Sequence, residues 1–388
     1  MKSIVLIYEN AADLPRKELD GRTPLEVARC PAATRLVLEG LGGSFAKASA
    51  RAPGSAESRL AALCGVPEAS AALAARGPLE AASLGIELAD YSDAYCGELV
   101  TLDDGRVRDG RLARLTLQET EALAHAVQKL FDPARVRLLP RAPGRLAVLV
   151  RADGEDLAPG QAPWLLEGEE IDLLPRRGAE LMGEMLEKSA QALARQTIND
   201  VRVDLGENPA SAIWLWGGGP LARLGAPSLR TMVWTQSAMA AGLARQLGLP
   251  VQPLLDPWTA AQPSDVVDAG AVREWLGAVD RLVVYVEAPP EFLRESAREK
   301  VRLLERMDVL LTQPLLDVFK RVKERRFLLA SVEAAVSEDA ARRAPQVLAL
   351  WGSHMEADGV EHWHETACRE GRLAGVSMDD VVNRLMGD

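Results

Sequence analysis

Short apolar runs recur along this chain, each bounded by Gly, Pro or charge: "SIVLIY" (3–8), "RLAVLVR" (145–151), "AIWLWG" (212–217), "RTMVWT" (230–235), "RLVVYVEA" (281–288), "RFLLASVEA" (326–334) and "QVLALWG" (346–352). Runs this short with so little polar alternation read as strands buried on both faces. Between most of them lie patterns of helical period, at 178–196, 235–248, 295–322 and 378–386. That alternation predicts an α/β fold whose mostly parallel sheet is covered by helices on both faces. With 388 residues, 48% of them hydrophobic, the chain can fill a sizeable core and carry an insertion.

The stretch 88–175 differs from the rest. It has fewer long helical patterns and carries Asp-Gly turn signals at Asp104-Gly105 and Asp109-Gly110. It reads as a smaller α+β cap inserted into a discontinuous core of residues 1–87 and 176–388.

A net charge of −11 and the lack of any Lys/Arg run argue against a nucleic-acid partner. The cysteines, Cys30, Cys64, Cys96 and Cys368, show no paired spacing, which fits a reducing cytoplasm better than a disulfide framework or a zinc knuckle. The apolar run near the N-terminus is too short for a signal core or a membrane span. No membrane partner is expected.

"RAPGSAESRLAALCG" (51–65) delivers Ser55 from a Pro-Gly bend onto the first turn of an alanine-rich helix. A nucleophile could sit there; so could an ordinary helix cap. In "VEHWHE", His362 and His364 precede Cys368 and could form a metal site, although surface histidines beside a packed Trp363 is the plainer reading. Gly217-Gly218-Gly219-Pro220 follows a strand as phosphate loops do, but lacks their motif, so a tight turn is expected. Glu287 falls at a strand's carboxyl end, where α/β sheets place their sites. Asp308 reads as a helix surface or end.

Taken together, "DGRTPLEVARCP" (20–31), "ARGPLEAASLGIEL" (75–88), "NPASAIWLWGGGP" (208–220), "VYVEAP" with "KVRLLERMD" (284–308) and "ETACREGRLAGVSMDDVVNRLM" (365–386) resemble the archaeal-type cofactor-independent phosphoglycerate mutases of the alkaline phosphatase superfamily. The resemblance spans nearly the whole chain in order. It implies an alkaline-phosphatase-like core with an inserted cap and an active site between them. There a serine takes the phosphoryl group of 3-phosphoglycerate and returns it to the 2-hydroxyl. Two divalent metals, Mn, Zn or Mg held by Asp and His, would activate the serine and clamp the phosphoryl oxygens.

Set against that family pattern, the chain departs at many chemical positions. The first strand's metal-binding Asp is matched by Glu9, one methylene longer. Ser55 stands at the nucleophile position, but the Asp and Asn beside it become Ala56 and Arg59. The Asp-x-x-x-His pair after 281–288 becomes Pro290 and Arg294, and where the family places an adjacent Asp-His pair the chain continues Ser331-Val332-Glu333-Ala334-Ala335 with no histidine. A further His is lost in Ala341-Arg342-Arg343, while Trp164 and Trp258 enter loops that are polar or small in the family. Losing this many ligands should abolish both metal sites. No cofactor is therefore expected. Arg76, Glu80 and Arg294 are the candidate substrate-binding residues, because guanidinium groups hold phosphate or carboxylate and Glu80 can bind or pair locally.

The sequence thus predicts a phosphoglycerate-mutase-like pseudoenzyme that binds a small phosphorylated or carboxylate metabolite or acts as an interaction component. Alternatives are an active mutase or related phosphotransfer enzyme using Ser55 in a rearranged site, and a structural partner in an assembly. A protein partner or homo-oligomer fits any of these.

Overall fold

The computed structural model describes the chain except for residues 47–54, 68–73, 87, 89, 153–156, 172–179, 222, 289–295, 334–343 and 388. Two compact units emerge, residues 1–74 with 224–388, and residues 75–223.

The larger unit is built on an eight-stranded sheet of order β13-β2-β12-β11-β1-β10-β8-β9. Its strands are β1 (Lys2–Glu9), β2 (Leu41–Phe45), β8 (Thr231–Thr235), β9 (Val251–Pro253), β10 (Arg281–Val286), β11 (Arg325–Val332), β12 (Val347–Gly352) and β13 (Leu373–Val376). β1 lies between β10 and β11 and is parallel to both, while β12 alone runs antiparallel to its neighbours, β11 and β2. The expected mostly parallel sheet is therefore present, with one reversed strand.

Strand alternation sorts the core into two layers. Ile4, Leu6 and Tyr8 join Leu282, Val284, Phe327 and Leu329 in the main apolar cluster. Over this face pack helices Pro31–Leu38 and Ala269–Ala278, with Ala297–Met307 continuing through a π-turn (Asp308–Thr312) into Gln313–Phe319. The alternate positions Val5, Ile7, Val283 and Tyr285 are equally buried but face the other way. Helices Ala56–Leu63, Ala238–Gln246 and Met378–Met386 pack with one another on that second face.

Asp308 sits on neither a surface nor an end of this helical run. It is buried in the π-turn, where its carboxylate accepts from the backbone N–H groups of Ala32 and Ala33 at 2.8 and 2.9 Å. It thereby caps helix Pro31–Leu38, whose own Cys30 supplies no side-chain cap.

The smaller unit holds a sheet of order β4-β3-β6-β5 with β7 added on β3, antiparallel in every pairing. Its strands are β3 (Asp93–Asp103), β4 (Arg106–Asp109), β5 (Val136–Ala142), β6 (Arg145–Val150) and β7 (Ala212–Pro220). This unit is wider than the 88–175 insertion expected from sequence. Helices Arg76–Ala82 and Glu180–Leu193 both pack on β7, so they and β7 go with this sheet. The glycine run is no turn: Gly217 to Gly219 continue β7 alongside β3, and a side chain at Gly218 would collide with the Tyr95 ring.

Candidate functional site

Open α/β sheets bind ligands at the carboxyl ends of their strands. At this edge β1 ends in Glu9, a carboxylate that is almost fully buried. It shares the second sheet face with Tyr285, which lies beside Ile7 in register. Tyr285 donates its hydroxyl to Glu9 Oε1 at 2.8 Å, and the Ala288 N–H donates to Oε2 at 3.0 Å. The chain then turns sharply at Asn10, whose φ of 55° lies in the left-handed region that Asn tolerates.

Ser55 reaches the same edge through its helix. The last turn of Ala56–Leu63 is tied to the strands' amino ends: Arg281 donates to Leu63 O at 2.8 Å, and the Thr231 hydroxyl donates to Cys64 O at 3.3 Å. The helix's first turn therefore points to the carboxyl end. Ser55 is half-buried and is the helix N-cap, its Oγ accepting from the Ser58 N–H at 3.2 Å. Its own hydroxyl donates to Ser58 Oγ at 3.3 Å.

Four residues further along, Arg59 is buried against Phe45, 4.6 Å from the ring centroid, and donates to Ala46 O at 3.4 Å. Its Nη1 has no hydrogen-bond partner among the described residues. Burial pulls its pKa down to about 10, partly offset by Glu333 just beyond β11. Ser331 falls on the opposite sheet face from Glu9, accepting from the Ala12 N–H at 2.9 Å and donating to Gln346 Oε1 at 3.3 Å. Trp258 reaches this edge as well, its indole N–H donating to Glu287 O at 3.2 Å.

The other expected site residues are carried by other elements. Arg76 and Glu80 form a buried ion pair in the smaller unit, with Arg76 Nε 2.9 Å from Glu80 Oε1 and Arg141 Nη2 2.8 Å from Oε2. Trp164 is also in that unit, beneath the Arg111 guanidinium at 4.0 Å and edge-on to Trp216. The rings of His362 and His364 stack at 5.6 Å, and His364 Nδ1 caps helix Glu365–Cys368 by accepting from the Ala367 N–H. Pro290, Arg294, Arg342 and Arg343 lie outside the described residues.

A cluster that the motif reading passed over lies just past β1. Buried Lys300 donates to Asp13 Oδ2 at 3.1 Å and to Ala12 O at 3.3 Å. The Asp13 N–H donates to Glu365 Oε1, and the Thr23 hydroxyl donates to Glu365 Oε2. Burial lowers the Lys300 pKa and raises that of Glu365. The signal was available in sequence: Lys300 shares helical spacing with apolar Leu304 and Met307.

A family model described as 2,3-bisphosphoglycerate-independent phosphoglycerate mutase matches residues 52–199. Proteins of that name from Methanothrix thermoacetophila and Methanosarcina acetivorans are 28% and 27% identical to this chain, each over the full length of both. The chain is similar over its full length to 2,3-bisphosphoglycerate-independent phosphoglycerate mutases. Solved structures carry the same fold: a Pyrococcus horikoshii protein has a TM-score of 0.66 at 18% identity, covering 100% of this chain and 96% of its own. The cofactor-independent phosphoglycerate mutase of Thermoplasma acidophilum has a TM-score of 0.53 at 20% identity, covering 99% and 100%. The alkaline-phosphatase-like fold expected from sequence is thus the one observed.

Hard divalent cations need carboxylates and imidazoles gathered together. Among the described residues, no group of three or more His, Cys, Asp or Glu side chains is placed to hold a metal ion. Glu9 accepts hydrogen bonds from a phenol and a backbone N–H.

Proposed function

We propose that this phosphoglycerate-mutase-like protein does not carry out metal-dependent phosphoryl transfer. It acts instead as a binder of a small phosphorylated or carboxylate metabolite, or as an interaction component in the cytoplasm, with no metal requirement. The observation that carries this reading is Glu9. Its two oxygens accept from Tyr285 and Ala288, so the residue at the family's first metal-ligand position serves as a joint between β1 and β10.

Ser55 supports the same reading. A serine attacks phosphorus only when something removes its proton. Here the Oγ is held by Ser58, accepting one hydrogen bond and donating another, and Ser58 is no base. Arg59 adds a fixed positive charge one helical turn away, which suits holding an anion better than activating a nucleophile.

The test pairs metal analysis of protein purified without chelators with a coupled assay for conversion of 3-phosphoglycerate to 2-phosphoglycerate, in wild type and Ser55→Ala. The reading expects neither stoichiometric Mn, Zn or Mg nor Ser55-dependent turnover. Either one would establish an active mutase with a rearranged site. Calorimetric titration with 3-phosphoglycerate then separates metabolite binding from a purely structural role.

A further inference from the structure

The opposite, amino edge of the larger sheet holds a separate cavity of about 240 Å³. β2 and β11 begin there and the antiparallel β12 ends there, which brings Leu41, Arg326 and the segment His354–Glu356 together. Arg372 and Arg384 complete the wall.

Its charges are uncompensated. Some surface arginines of this unit are ion-paired, as in Arg16 with Asp13, Arg35 with Glu39 and Arg230 with Asp280. Among the described residues, buried Arg326 meets only backbone carbonyls, donating to Arg384 O at 3.2 Å, to Arg325 O at 3.3 Å and to Ser353 O. Arg372 donates to Ala357 O at 2.9 Å. Asp358, the nearby acid, accepts from the backbone N–H groups of Gly42, Val360 and Arg372. Among the described residues, Arg326, Arg372 and Arg384 have no ion pair, and Glu356, the one carboxylate of the wall, pairs with none of them.

We infer that this cavity is a second binding site, for a compact doubly charged oxyanion. Three guanidinium groups around one hollow match an oxyanion's several acceptors, and carbonyl bonds hold Arg326 in place before any ligand arrives. The volume lies below the roughly 300–1,000 Å³ of sites for drug-sized ligands, which favours a phosphate or dicarboxylate group over a large molecule. The site is independent of the carboxyl edge where Glu9 and Ser55 lie.

The test is calorimetric titration with inorganic phosphate and, separately, with malonate, ionic strength being held constant with KCl. Wild type is compared with the double variant Arg372→Gln/Arg384→Gln and with Ser55→Ala. Arg372 and Arg384 are exposed, so their replacement leaves the core intact. At least one dianion should bind wild type and Ser55→Ala alike and lose about tenfold or more in affinity in the double variant. Which dianion binds distinguishes a phosphate site from a dicarboxylate site. The inference is overturned if neither binds, if binding survives the double variant, or if Ser55→Ala alone removes it; that last result would place the anion at the carboxyl edge.

Discussion

Tyr285 and Glu9 meet at 2.8 Å across the β1–β10 junction, a phenol donating to a buried carboxylate where both strands run out. A hydrogen bond to a charged group contributes about 1.5–3 kcal/mol. Tyr285→Phe keeps the ring and removes the donor, so it should lower unfolding free energy by about that amount in urea titration. A loss under ~0.5 kcal/mol would show that the contact does not hold the strands together.

Ser55→Ala should cost about 0.5–2 kcal/mol of stability through the lost helix cap, and Ser55→Asp should restore most of it. Urea denaturation of the three proteins measures this directly. A serine whose role is not capping would give no rescue by aspartate.

Asp308 gives the fold a pH dependence. Burial pushes its carboxyl from 3.8 up to about 6, against the pull of the two N–H groups it caps. The folded state therefore holds this proton more tightly than the unfolded chain. The group's contribution is full below about pH 4 and is lost as pH rises to about 6. The difference in unfolding free energy between wild type and Asp308→Asn should shift by roughly 2–3 kcal/mol from pH 4 to pH 7, with wild type losing ground.

In the smaller unit, Glu80 binds two buried arginines, Arg76 and Arg141. Glu80→Gln removes the carboxylate that both guanidinium groups bind and should destabilise by about 3–5 kcal/mol. Breaking the exposed Arg106–Glu170 pair by Arg106→Ala should cost under about 1 kcal/mol. Thermal unfolding of the two variants makes the comparison.

Strands with continuous apolar character were legible in sequence, and "SIVLIY", "RLVVYVEA", "RFLLASVEA" and "QVLALWG" became β1, β10, β11 and β12. Which sheet a strand joins was not. "AIWLWG" is as apolar as the others yet pairs with β3 in the smaller unit, because burial on both faces leaves no mark of the partner. β2, "LGGSF", escaped notice because glycine disfavours strands in general. Here Gly43 is required by the approach of Leu373, whose backbone leaves no room for a side chain. At the site, Glu9 and Ser55 were found as positions, but their partners were not. Tyr285 reads as one more apolar strand residue, and Arg59 only as a replacement beside Ser55, until the helix and sheet bring them to the same edge.

The placement of β1 sets a problem of timing. Its neighbours begin at Arg281 and Arg325, roughly 280 and 320 residues downstream, so a ribosome adding about 5–20 residues per second needs about fifteen seconds to a minute to make them. Residues 75–223 form one continuous stretch and are complete well before that. The newborn chain therefore holds out an apolar strand with no partner while its later unit has already been made, and such a strand is a template for pairing with other chains. Escape from aggregation during synthesis, more than final stability, is the burden this chain order imposes on the cell.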